Sequence, residues 1–149
     1  MPPEPGLTLR AEDAEDLAVI STYLQDALVS VRDLAYDDDN RTFIFVANRF
    51  RWETPPRSDG AAPGFERTLC GVLFESVDGV AYRGFRRNEE DRILSLLAIR
   101  ADTSDNAIDL DFAAGAAIRL TTAAIRCHAR DLGEPWPTPW HPDHPDELS

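Results

Sequence analysis

After residue 27 the apolar side chains recur at every second position, in one short segment after another. A period of two belongs to strands, whose successive side chains leave opposite faces. Phe43, Phe45 and Ala47 alternate with Ile44, Val46 and Asn48, and Ile108, Leu110 and Phe112 alternate with Asp109 and Asp111. Ile118 and Leu120 alternate with Arg119 and Thr121. A chain patterned this way has to build a sheet with one face turned to a core. Upstream the period differs. Leu17, Ile20, Leu24 and Leu28 recur at spacings of three and four, which makes one helical stripe. Glu12, Asp13, Glu15 and Asp16 crowd its start, where negative charge meets the positive end of the helix dipole. The helix is expected over about residues 11–26.

The strands are then placed by their turns. Residues 28–36 and 42–52 are expected as a hairpin closed by Asp37-Asp38-Asp39-Asn40, whose short polar side chains bond their own backbone. Residues 53–66 hold three Pro and two Gly and read as a loop. Residues 67–77 and 80–86 are expected as a second hairpin bent at Asp78-Gly79. The nearly all-apolar run Ile93–Ile99 suits a strand buried on both sides, with a helix as the other option. Residues 108–112 and 118–120 form a third hairpin around Ala113–Ala116. Residues 123–131 lean to strand, because Ile125, Cys127 and Ala129 alternate with Arg126, His128 and Arg130; Gly133 as a cap keeps a helix open. From Gly133 onward lie five of the eleven prolines, so regular structure is expected to stop there.

The fold class that follows is α+β: an N-terminal helix packed on a mostly antiparallel curled sheet or partly open barrel of about seven or eight strands. A pleckstrin-homology-like barrel is one instance, although that domain carries its helix at the other end. The domain plan is a flexible leader over residues 1–6, a single α+β domain over 7–132, and a Pro/Trp-rich tail over 133–149. A chain of 149 residues buries roughly 70% of its unfolded surface as one domain, so it needs no disulfide or metal staple.

Charge narrows the partners. The formal charge is -12, and all 15 basic residues are Arg. Affinity for nucleic acid or an anionic membrane needs positive charge to displace counterions, so neither is expected as the main partner. The N-terminus lacks the basic and apolar regions of a signal peptide. No apolar run approaches the ~18 residues of a membrane span. Two isolated cysteines, Cys70 and Cys127, make no disulfide framework. The expected compartment is the cytoplasm.

Several stretches together resemble a known family: Leu9–Leu17 with Gln25-Asp26-Ala27, Asn48-Arg49-Phe50-Arg51-Trp52-Glu53, Leu94–Ile99, and Asp131–Pro137. They are similar to a bacterial family catalogued as domain of unknown function 2948, over about residues 7–140. The resemblance implies a small bacterial cytoplasmic protein. It carries over no activity, cofactor or catalytic residue.

The residues themselves offer few sites. On a strand, Arg49, Arg51 and Glu53 share one face and Phe50 and Trp52 the other. Two Arg forks on one face suit a phosphate or carboxylate. The competing reading sends the aromatics into the core and pairs the Arg residues with the chain's own carboxylates. Arg83, Arg86 and Arg87 form a second basic cluster that either joins the first or pairs with Glu89, Glu90 and Asp91. Arg49, Arg51 and Arg83 are the anion-binding candidates. Trp136 and Trp140 sit in a pre-extended Pro-rich segment and are the partner-binding candidates, Trp136 also as a clamp on the domain's own core.

Cys127 and His128 are neighbours that a strand sends to opposite faces, so they do not pair as nucleophile and base. Consecutive Asp37–Asp39 lack the alternate spacing of a calcium loop, and His141 and His144 lie in a segment with no rigid frame. There is no Gly-rich phosphate loop and no nucleophile elbow. Neither catalytic residue, metal nor cofactor is therefore expected. The leading functional reading is a non-catalytic binding or assembly module with a protein partner or a second copy of itself. A binder of, or enzyme on, a small anionic metabolite using Arg49 and Arg51 is the alternative. RNA stacking on Phe50 and Trp52 is the weaker one.

Overall fold

The computed structural model describes residues 7–50 and 65–132, with residues 136–138 as a further strand. The chain enters on strand β1 (Thr8–Ala11) and turns into helix α1 (Ala14–Tyr23). The helix is shorter than its apolar stripe suggests, for reasons visible at both ends. Asp13 is extended and its carboxylate accepts the Asp16 N–H at 2.7 Å, which fixes the first turn after residue 13. At the other end Asp26 takes a positive φ of 64°, and its N–H donates to the Leu96 carbonyl at 2.7 Å. Leu28 therefore belongs to the sheet, while Leu17, Ile20 and Leu24 are buried.

Strand β2 (Leu28–Ser30) is separated from β3 (Ala35–Asp37) by a single 3-10 turn over Val31–Asp33. The strand expected over 28–36 is thus broken. The reason is that Val29, Val31 and Leu34 are all buried, a spacing that unbroken two-fold alternation cannot satisfy. β3 makes the expected hairpin with β4 (Thr42–Phe50), with Asp37 opposite Thr42. β2 pairs with the far end of β4, with Leu28 opposite Asn48.

The hairpin expected at Asp78-Gly79 does not form. Strand β5 (Phe65–Phe74) pairs with β4 and with β10 (Cys127–Asp131), whereas β6 (Gly79–Arg83) pairs with β9 (Ala117–Thr121). A two-residue hairpin turn needs positive φ at its centre. Here the positive φ falls on Ser76, at 60°, and the Asp78 N–H donates to the Thr121 carbonyl. Residues 75–78 carry the chain across the end of the sheet instead.

β7 (Ile93–Asp102) is a strand and pairs with β2 and β8 (Ala107–Phe112). It is not buried on both sides: Ile93 is 43% and Leu97 48% exposed. A bulge between Leu96 and Ala98 absorbs one residue, so Leu94, Leu96 and Ile99 all face the core despite their uneven spacing. β8 and β9 form the expected hairpin, turned by Ala114 and Gly115 with φ of 63° and 78°. Residues 127–131 are strand, as the alternation favoured. The chain also does not leave regular structure at Gly133: β11 (Trp136–Thr138) pairs with β5, with Trp136 opposite Arg67.

All eleven strands are antiparallel, more than the seven or eight expected. Their order is β1-β10-β5-β4-β2-β7-β8-β9-β6, with β3 alongside β4 and β11 alongside β5. Among the described residues β1 and β6 do not pair with each other, so the sheet is not closed. α1 packs against both β1 and β7, and its Leu17, Ile20 and Leu24 join the core. There Phe43, Phe45 and Phe74 meet at ring-centroid separations of 6.2 and 6.4 Å, beside Leu110, Ile118 and Leu120.

Candidate functional site

The inward face of β4 reads Phe43, Phe45, Ala47 and then Arg49, and Arg49 is fully buried. Its Nε donates to Asp131 Oδ1 at 2.9 Å and its Nη2 to Oδ2 at 2.7 Å. Nη1 donates to the Phe50 carbonyl at 3.0 Å, and Asp131 also accepts the Leu7 N–H at 2.8 Å. The expected parity is therefore inverted: Arg49 turns inward and Phe50 outward. The bidentate fork does hold a carboxylate, but it is the chain's own. Arg51 and Trp52 lie outside the described residues.

Behind Phe50, on the outward face, sits Arg67, which the sequence reading did not single out. It is fully buried. Nε donates to Asn48 Oδ1 at 2.6 Å, Nη2 to the Asn48 carbonyl at 2.8 Å, and the guanidinium lies 3.9 Å over the Phe50 ring. Its Nη1 has no hydrogen-bond partner. Burial pushes its pKa down to about 10, with no carboxylate among the described residues offsetting the shift. The only signal for it was register, which a single sequence does not disclose. Phe50 under Arg67 offers no free ring for a nucleic-acid base to stack on.

Arg83 on β6 lies five places along the sheet order from Arg49 on β4. Arg87 of the second cluster is engaged with the Tyr82 hydroxyl and the Leu34 carbonyl. Glu89 accepts from the Arg86 N–H and pairs with Arg92, and Asp91 pairs with Arg32. Arg83 instead borders a depression of about 440 Å³ on the outward face of β6, β9, β8 and β7, together with Arg100, Arg119, Asp109 and Asp111. Arg119 grips Asp109 at 2.8 and 3.0 Å and Asp102 at 2.8 Å, and Arg100 reaches Asp111 at 2.7 Å. The hydrogen bond from Arg119 holds the Asp109 carboxyl below the usual carboxylate range.

The family model described as protein of unknown function (DUF2948) matches residues 7–144. The chain belongs to that family. No curated protein and no solved structure matches it.

Elsewhere the outward face of this DUF2948 domain exposes several apolar side chains. Ile44, Leu69, Ile93 and Leu97 stand 40–48% exposed on β4, β5 and β7. Between them a groove of about 200 Å³ is lined by Leu28, Val46, Leu69 and Ile93, with Ser30, Asp33 and Asn48 as its polar members. Leu132 folds back over the same face, its Cδ2 lying 3.3 Å from where a side chain on Gly71 would begin.

Cys70 and Cys127 are both buried, and burial pushes Cys70 up to about 12 and Cys127 higher still. His128 Nε2 approaches Glu75 at 3.6 Å, with both side chains partly exposed. The carboxylates of Asp37, Asp38 and Asp39 converge within 4.8 Å, all exposed, and Asp37 is bonded to Asn40. Trp136 is placed by its backbone against β5, and Trp140 lies outside the described residues.

Proposed function

We propose that this DUF2948 domain is a non-catalytic binding and assembly module, docking a protein chain on the outward face of β4, β5, β2 and β7. One observation carries the reading: Ile44, Leu69, Ile93 and Leu97 project from adjoining strands at positions where a solvated sheet face places polar residues. The register makes the face continuous, with Leu69 beside Asn48, Asn48 beside Leu28, and Ser30 beside Ile93. The inert thiols and the internally paired Arg49 support a role without covalent chemistry. A bacterial cytoplasmic setting goes with this reading, since lone buried cysteines suit a reducing compartment.

The first occupant we assign is a second copy of the chain. The groove carries a single charged side chain, Asp33, so two copies can meet apolar face to apolar face about a two-fold axis. With a formal charge of -12 on each copy, repulsion opposes the approach, and salt should strengthen association by screening it. Sedimentation of Leu69→Arg and Ile93→Arg variants tests this. Both should shift to monomer while melting like the parent chain. Variants that sediment as the parent does would remove the face from the assembly.

A further inference from the structure

The charged end of the outward face is a separate surface from the apolar one, and it carries its own inference. Across the strands one row runs Ala81, Arg119, Asp109, Arg100, and the next runs Arg83, Ala117, Asp111. The second row ends on Ala98 of β7, opposite Asp111, and charged side chains fill every place in the two rows but Ala81, Ala117 and Ala98. Ala81 and Ala117 leave the floor empty, which is why a depression of about 440 Å³ opens there. That volume is in the range of small-ligand sites.

The three guanidiniums around it are not equivalent. Arg119 is committed, holding Asp109 with two hydrogen bonds and Asp102 with a third. Arg100 is 63% exposed and uses only its Nε, on Asp111, so neither Nη group has a hydrogen-bond partner among the described residues. Arg83 makes no hydrogen bond or ion pair with any described residue. Its strand β6 and Arg100's strand β7 are three places apart in the sheet, or roughly 14 Å at the usual strand spacing. Arg83 and Arg100 border the depression from β6 and β7, with Ala117 on β9 between those strands. The carboxylates beneath, Asp109 and Asp111, already have their own Arg partners, so the lining carries three positive charges against two negative ones in a chain whose formal charge is -12.

We propose that this depression is a phosphate-group site: an oxyanion sits over Ala117, taken by the Arg83 fork from one side and the Arg100 Nη groups from the other, with a small phosphomonoester as the ligand class. Phosphate fits better than a single carboxylate because two forks approaching from opposite sides need acceptor oxygens on both.

Backbone amide NMR with inorganic phosphate, at constant ionic strength and with chloride and sulfate as comparison anions, tests the site. Phosphate should shift the amides of Ala81, Ala117 and Asp111 saturably. Arg83→Gln should weaken that binding at least about tenfold, the loss of one charge-assisted fork, with the spectrum otherwise unchanged. Arg130→Gln, an exposed control on β10, should leave it intact. Equal responses to chloride and phosphate, or an undiminished response in Arg83→Gln, would overturn the proposal. A phosphomonoester that binds no better than inorganic phosphate would overturn the ligand class. None of these outcomes depends on whether the chain self-associates.

Discussion

Arg49 and Asp131 stand 82 positions apart in the chain and meet through two parallel hydrogen bonds, 2.9 and 2.7 Å long, with 0% and 3% of their side chains exposed. The pair closes the polar end of an otherwise apolar face and ties β4 to β10. Through the Leu7 N–H on Asp131 it also ties down the start of the chain. Breaking one half of a buried pair strands the other charge. Arg49→Met is therefore expected to cost about 3–5 kcal/mol in urea unfolding, and Arg49→Met with Asp131→Leu to cost less than the single change. A single variant within experimental error of the parent would contradict the assignment.

Arg67 is the opposite case. It is as deeply buried as Arg49 but faces the amide of Asn48 and the ring of Phe50 rather than a carboxylate. Among the described residues no opposite charge offsets its burial as a cation. Arg67→Met should accordingly leave stability unchanged or raise it. A loss as large as that of Arg49→Met would show that Asn48 and Phe50 compensate the charge in full.

Acid should loosen the charged end of the sheet. The Arg119 hydrogen bond depresses the Asp109 pKa, so its folded value lies below its unfolded value. The stability this contributes is complete above the unfolded carboxylate range, near pH 4, and is lost as pH falls through the folded pKa. Asp109→Asn should flatten the pH dependence of unfolding below about pH 4 and leave its slope near neutrality unchanged. An unaltered acid limb in that variant would count against the clamp.

Two glycines with similar dihedrals should respond differently to the same change. Gly84 has φ of 81°, and a side chain there would run into the Gly115 carbonyl and the Ala116 backbone. Gly115 has φ of 78° and open space around it. Gly115→Ala should cost roughly 1 kcal/mol from backbone conformation alone, and Gly84→Ala clearly more. Equal melting temperatures for the two variants would mean that the 84–116 contact is not tight.

These predictions rest on features the sequence showed unequally. The strands at 42–50, 107–112 and 117–121 were legible because buried and more exposed positions alternate over 42–49, 108–112 and 117–121. β7 was legible as a strand but not as a half-exposed one, because its outward residues are apolar and a bulge interrupts the alternation. Asp78-Gly79 misled because a turn signal is local, while the Thr121 carbonyl that captures Asp78 is distant in the chain. The same limit governs the sites. Arg49 was visible as an unusual residue, but its partner 82 positions away was not. Arg83 was visible, whereas the empty places at Ala81 and Ala117 that make room beside it come from the register of β6 on β9. Arg67 became noticeable only once its strand was paired.

The most direct test of the docking reading is native mass spectrometry of the untagged chain over a range of concentrations and salt. The account predicts a species at twice the 16.6 kDa chain mass that grows with both. A single-chain mass under every condition would contradict self-docking through the outward face.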